Sequence, residues 1–299
     1  MQTQIKKVGN EVTWINIIKP EILEIKKILL ENNLSETLAE EIVRPTSVTK
    51  VDSMRNSIYL TLHFPIFRNG KSVAEEIDFL IKSNVLITSS YSEIQFVKDY
   101  IQNHPEVQNQ KHGGNIFCDL LSSIYLQIQN EIEKNADEIK TLEENIFDAN
   151  ERERIEDISK VSKKIFDLRS KMKSHLPVLE IFQSEANKIF GFEFDAEAKT
   201  LSILLHKLLG ELENQKENVI DLKDTFDFLL TNKTNQIVKV FTVVSFILLP
   251  VTFLASFFGM NTRFPNELVN ADYGTVYIML IMLAVSLTTL LFLHFKKFI

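Results

Sequence analysis

Four hydroxyl side chains, Thr242, Ser245, Thr252 and Ser256, punctuate an otherwise apolar stretch, Val240 to Phe258. Their separations are three, seven and four residues. On a helix this places them on one stripe, which reads Asn235, Val238, Thr242, Ser245, Leu249, Thr252, Ser256 in alternating steps of three and four. Every hydroxyl of the stretch lies on it, and the other faces are Val, Phe, Ile, Leu and Ala. A lipid-facing helix gains nothing by segregating its polar groups. A helix that faces copies of itself does, either to hydrogen-bond across helices or to line a water path. On the stripe alone, a packing seam and a pore wall both stand.

Continued toward the N-terminus, the stripe takes in Thr231, Phe228, Asp224 and Asp221. Repeated around a symmetry axis, Asp221 and Asp224 are candidate metal-binding carboxylate rings. A solvated helix face is the alternative for both, and is expected for Asp227, which lies off the stripe.

The uncharged stretch Val240 to Phe258 spans about 19 residues, close to the roughly 20 that a helix needs to cross a hydrocarbon core. A second uncharged run, Tyr273 to Phe295, is about 23 residues and also long enough. The polar loop Gly259 to Asp272 joins them into a hairpin. Ahead of it, from Asp195 to Pro250, only Gly210 interrupts a helical pattern. This predicts a single helix of roughly 90 Å at 1.5 Å per residue, a stalk whose coiled-coil partners come from other subunits.

The segment LPVTFLASFFGMN, ending in Gly259, Met260 and Asn261, resembles the signature of the CorA-type magnesium channel family. Pro250, Thr252 and Phe253 match its Pro-x-Thr-Phe pattern, and KTNQIVKV with Asn235 matches its upstream element. The phrase EEIDFLIKSNVLITSSYSE also resembles the family's cytoplasmic domain. The resemblance implies a homopentamer in which the first span lines the pore. It also implies a Gly259-Met260-Asn261 entrance and closure by Mg²⁺ bound between cytoplasmic domains. The transported ion would be Mg²⁺, with Co²⁺ and Ni²⁺ as further candidates. Two features depart from the pattern. Where the family places an acid four residues before a stalk His, this chain has Ser202 before His206, or Thr200 by ungapped counting. The family's Met-Pro-Glu loop is only approximated by Phe264-Pro265-Asn266-Glu267.

Mg²⁺ dehydrates reluctantly and keeps several waters, so a filter for it can present neutral oxygens to the water shell. Asn261 offers a side-chain carbonyl, and Gly259 is expected to let the backbone carbonyl face the axis. Asn235, Thr252 and Ser256 continue the oxygens, while Val238 and Leu249 are candidate constrictions that gate by dewetting. Two other readings compete: a zinc transporter of the same superfamily, against which Met260 argues, and a non-conducting membrane-anchored oligomeric scaffold.

The remaining chemistry is sparse. The six histidines (63, 104, 112, 175, 206 and 294) show no metal-ligand spacing, and each is expected to be a surface or satisfied residue. There is no Walker loop and no Gly-x-Gly-x-x-Gly, so no enzyme is expected. A net charge of −7 argues against nucleic acid as a partner. The single cysteine, Cys118, excludes an internal disulfide and is expected to be a small buried side chain. No apolar run of signal-peptide length follows the N-terminal MQTQIKKVGN. Lys296 and Lys297 follow the second span, and Lys233 and Lys239 precede the first. The loop holds Arg263 against Glu267 and Asp272. The positive-inside rule then predicts a multi-pass protein of the plasma (inner) membrane with both termini cytoplasmic.

The fold class expected is α+β: an N-terminal cytoplasmic α/β domain, a long helical stalk, a two-helix transmembrane hairpin and an oligomeric funnel. The expected domains are 1–112 (α/β), 113–190 (helical hairpin), 191–236 (stalk) and 237–299 (membrane). Within the first, strands are predicted at Val12 to Ile18, Val48 to Met54, Ser57 to Phe67, and Glu76 to Ile81 leading into Val85 to Ser89. Helical spacing from 20 to 44 breaks at Asn32-Asn33, and Arg68-Asn-Gly-Lys71 is a hairpin turn. Two helices, one bearing Ile124 to Ile146 and one from about 155 to 189 with a Pro177 kink, form an antiparallel pair.

Overall fold

Strand β4 (Ser57–Arg68) is buried from Ser57 through Pro65. A strand buried at successive positions has both faces covered. Its even-numbered side chains, Ile58 to Phe64, face one helical layer, and Tyr59, Thr61 and His63 face the other way. This strand sits inside a six-stranded sheet of order β1-β2-β6-β5-β4-β3. The others are β1 (Gln2–Val8), β2 (Val12–Ile18), β3 (Lys50–Met54), β5 (Lys71–Lys82) and β6 (Val85–Ser90). Only β2 and β6 pair in parallel; every other neighbour is antiparallel.

The computed structural model describes residues 2–8, 12–68, 71–103, 111–146, 151–260 and 272–296. Two compact units emerge, residues 1–222 and 223–299.

In the first unit, α1 (Ile22–Glu31) and α2 (Leu38–Val43) cover one face of the sheet. Ile25, Leu29, Leu38, Ala39 and Ile42 close a core over Ile15, Ile17, Tyr59, Leu80, Val85 and Ile87. The other face takes α3 (Gln95–Asn103), α4 (Gly113–Glu144) and α5 (Glu151–Phe190). Edge-on ring contacts fix that layer: Trp14 with Tyr100, Phe79 with Phe117, and Phe64 with His175. Helices α4 and α5 are antiparallel, since Tyr125 meets His175 and Glu138 meets Lys164.

Gly113, at the start of α4, sits against the β5–β6 turn. A Cβ there would lie 2.4 Å from the Lys82 carbonyl oxygen and 2.5 Å from that of Val85. Only glycine permits this approach.

The long helix α6 (Asp195–Phe258) is 64 residues, and α7 is Gly274–Phe295. The first part of α6 runs antiparallel to α5, with Asp195 accepting from Gln183 and Glu213 paired to Arg169. It runs parallel to α4, through Asn115 to Glu197 and Gln215 to the Ile132 carbonyl. Leu201, Leu205, Leu208, Leu212, Gln215, Val219, Leu222 and Phe226 form its buried seam, in the alternating four-three spacing of packed helices.

Several local expectations change. Gln2–Val8 is an edge strand that composition did not suggest, because its described side chains are exposed and polar or isolated. Glu76 to Ser89 is two antiparallel strands turning at Ser83-Asn84. Helix α3 has no counterpart among the expected elements, and α5 begins at Glu151, ahead of the expected start near 155. Gly113-Gly114, at the expected boundary after residue 112, are the first two residues of α4. Asn69 and Gly70 of the expected hairpin turn lie outside the described residues, but Arg68 and Lys71 are paired across it.

Candidate ion-conduction path

In the second unit the end of α6 and the whole of α7 are long and apolar enough to cross a membrane. Their apolar windows are almost wholly uncovered in the single chain. The core helix of a water-soluble protein would be covered instead.

The uncovered surface is not uniform around α6. Val243, Ile247, Pro250, Val251, Leu254 and Phe258 are half-covered. Ser245, Leu249, Thr252 and Ser256 are open. The two sets are offset by two residues, about 200° around a helix, so they occupy opposite sides. The polar stripe therefore lies away from the half-covered side. Its upper end is Ser256 and its lower members Asn235 and Val238 are exposed, whereas Thr242 is half-covered. Leu249 is 67% exposed, the most open of the stripe's large apolar groups.

Thr242 donates its hydroxyl to the Val238 carbonyl at 2.7 Å, and Thr252 to that of Leu248 at 2.8 Å. These bonds use the hydroxyl protons within the helix. What each threonine offers outward is oxygen lone pairs. Such a surface accepts hydrogen bonds from water and so suits a hydrated cation better than an anion.

Pro250 lies inside the helix and removes one intrahelical donor. Beyond Phe258 the chain still bonds helically, Gly259 N–H to the Ala255 carbonyl at 2.9 Å. Gly259 does not adopt a left-handed backbone; a Cβ there would meet the Ala255 oxygen at 2.9 Å. Close approach to the preceding turn is thus one reason for glycine at this position. Met260 is exposed. Asn261 lies outside the described residues, as do Arg263, Phe264 to Glu267, Asn270, Lys297 and His104.

Asp221 and Asp224 are exposed, as are Phe228 and Thr231. Their neighbours Leu222 and Phe226 hold the buried seam. Of the other stalk acids, Asp195 accepts from Gln183 at 2.8 Å and Asn187 at 2.7 Å, which hold its carboxyl below the usual range. Glu197 accepts from Asn115 at 2.6 Å. Both are engaged in fixing the start of α6. Thr200 is back-bonded to Ala196, and His206 donates to the Ser202 carbonyl. Among the described residues, no three His, Cys, Asp or Glu side chains converge as metal ligands. Cys118 is buried, and burial raises its thiol well above the usual range.

Sequence reasoning found the stripe but missed the seam of α6 that faces α4 and α5. The signal was available: the four-three recurrence of leucine from Leu201 to Leu212.

A model of the family described as CorA-like Mg²⁺ transporter protein matches residues 9–297. The chain belongs to the CorA-like Mg²⁺ transporter family. The cobalt/magnesium transport protein CorA of Thermotoga maritima is 21% identical over 295 residues, 96% of this chain and 83% of that protein. The complete structure of the CorA magnesium transporter from Methanocaldococcus jannaschii shares the fold, with a TM-score of 0.83 at 19% identity. That match covers 97% of this chain and 92% of the other. A ZntB cytoplasmic domain from Vibrio parahaemolyticus is a more distant fold relative, with a TM-score of 0.55 at 10% identity over 76% of this chain and 91% of that one. The α+β class, with its N-terminal α/β unit, long helix and two C-terminal apolar helices, is that of the full-length CorA structure.

Proposed function

We propose that this chain is a divalent-cation channel that conducts hydrated Mg²⁺, with Co²⁺ and Ni²⁺ as further candidate ions. Five copies would surround a pore lined by Asn235, Val238, Thr242, Ser245, Leu249, Thr252 and Ser256. Gly259, Met260 and Asn261 would form its entrance, and Asp221 and Asp224 two acidic rings below it. The observation that supports this most is the oxygen-bearing stripe on the uncovered side of α6, opposite its half-covered side.

On this reading, the ion keeps its inner water shell and the helix carbonyls and hydroxyls accept hydrogen bonds from those waters. The absence of carboxylates between Val240 and Phe258 keeps the ion from binding too tightly to leave. Val238 and Leu249 interrupt the oxygens with apolar rings that exclude water when narrow.

Reconstituted liposomes test the reading directly. The wild-type chain is expected to pass Mg²⁺, and Asn261→Ala to abolish flux with oligomer size unchanged. Normal Mg²⁺ flux in that variant removes the entrance role. No flux of any divalent ion by the wild type returns the scaffold reading, and a preference for Zn²⁺ returns the zinc reading.

A further inference from the structure

Three ionisable side chains lie buried together on the α1/α2 side of the sheet, far in sequence from the conduction stripe. His63 on β4 and Glu76 on β5 are opposite each other in register, and Asp78 is two residues along the same face. Their exposures are 5%, 7% and 2%. The His63 Nε2 is 3.6 Å from Glu76 Oε2.

Hydrogen-bond geometry constrains the protons. His63 Nε2 lies 2.7 Å from the Thr46 carbonyl, which can only accept. His63 Nδ1 lies 3.1 Å from Thr49 Oγ1, which is 3.1 Å from Ser174 Oγ. Ser174 donates its hydroxyl to the Lys171 carbonyl at 2.7 Å. That run contains three hydrogen bonds and two hydroxyl protons. Ser174 spends its proton on Lys171, so Thr49 must donate to Ser174, and Nδ1 must supply the third. Both ring nitrogens are then protonated, and His63 is an imidazolium.

Glu76 balances that charge, and its Oε2 also accepts from the Thr46 amide at 2.7 Å. Asp78 is then one negative charge too many. Its Oδ1 accepts from both Tyr59 and Thr61 at 2.8 Å, as a carbonyl oxygen with two lone pairs can. Its Oδ2 is buried and unpartnered, and so are Glu76 Oε1 and Ser89 Oγ, the latter directly across the β5–β6 pair. A proton on Oδ2 removes the excess negative charge from a carboxyl oxygen that has no donor to stabilise it, and leaves the cluster neutral. The surroundings offer little else. Lys50 of β3 is paired to Glu41 of α2 and stands over the Tyr59 ring at 5.1 Å. Tyr91, just after β6, donates to the Ile42 carbonyl, and Lys171 of α5 acts on His63 only at a distance.

We propose that His63, Glu76 and Asp78 form a two-proton binding site that fastens the α2–β3 connection, residues 44–49, to the sheet and to α5, and releases it when the protons leave. The tie consists of Thr46 held at both its amide and its carbonyl, and Thr49 bridging His63 to Ser174. Loss of both protons leaves two buried negative charges with no cation inside the cluster. Water must then enter, and the irregular connection opens more readily than the paired strands. Burial lifts the Asp78 acid to about 7, so its proton leaves around neutrality, and the hydrogen-bonded Glu76 carboxylate raises His63 above its ordinary value. This inference does not rest on the conduction reading.

Hydrogen exchange of the full chain in detergent, corrected for intrinsic pH dependence, tests it. Amides of 44–50 are expected to lose about tenfold in protection between pH 6 and pH 8.5, the worth of roughly one hydrogen bond. Asp78→Asn keeps the carbonyl and replaces the acid proton with an amide donor, and should cut the step to no more than about threefold. Thr61→Val removes a donor that favours the carboxylate, and should move the step to higher pH. A purely structural role would lower protection equally at every pH and leave the step in place. No step in the wild-type chain, or an unmoved and undiminished step in the variants that fold, overturns the proposal.

Discussion

His175 of α5 donates through Nε2 to the backbone carbonyl of His63 on β4, at 3.0 Å. Its Nδ1 lies 3.0 Å from the Tyr125 hydroxyl of α4 and accepts from it. One fully buried imidazole thus joins the sheet to both helices of the hairpin. The geometry needs the neutral ring, and burial pushes its pKa down to about 4.

This makes the first unit sensitive to acid at one position. The folded-state value lies below the ordinary 6.5, so the stability contribution is complete above pH 6.5 and is lost as pH falls toward 4. At pH 5 the loss is about 2 kcal/mol. Asp78 and His63 act in the opposite direction, since raised values favour the folded state at lower pH. The comparison is therefore wild type against His175→Gln, by denaturant unfolding read from the single tryptophan, Trp14, which is buried. The variant is expected to lose less stability between pH 7.5 and pH 5 than the wild type does. Equal losses would show that His175 is not held neutral.

Gly113→Ala places a methyl against two backbone carbonyls of the β5–β6 turn. Backbone cannot rotate away as a side-chain tip can. The same unfolding measurement is expected to show a loss of about 1–3 kcal/mol. An unchanged midpoint would mean that α4 can shift along the turn without cost.

The pore face is tested by a pair of substitutions of equal chemistry. Leu249 is on the stripe and open, whereas Ile247 is on the half-covered side. Leu249→Ser is expected to raise residual flux severalfold at high internal Mg²⁺, because a polar ring holds water where an apolar one excludes it. Ile247→Ser is expected to lower expression or stability without raising that flux. Matching behaviour would make the stripe a packing seam.

Orientation follows from labelling. Cys118 is the only cysteine and is buried with a raised thiol pKa, so the native chain provides a quiet background. Asn270→Cys is expected to react with an impermeant maleimide from outside intact cells. Labelling only after the cells are opened would reverse the topology read from Lys233, Lys239, Lys296 and Lys297.

Much of this architecture was legible in the sequence because it rests on local rules. Length and the lack of charge determine two membrane-competent helices, Val240 to Phe258 and Tyr273 to Phe295. With Gly210 the single interruption before Pro250, the pattern determines one long helix, and the segregation of Thr242, Ser245, Thr252 and Ser256 marks its polar stripe. The motif ending in Asn261 pointed to the family. Tertiary structure decided which sides of that helix are covered. The four-three recurrence from Leu201 to Leu222 marks a seam in the sequence, but only the fold shows that α4 and α5 are the helices that cover it. It also decided that β2 and β6, far apart in sequence, pair in parallel. The His63–Glu76–Asp78 cluster has the same origin. Along the chain these are ordinary polar residues of alternating strands. Cross-strand register and the covering helices remove them from water, and that desolvation gives them their chemistry.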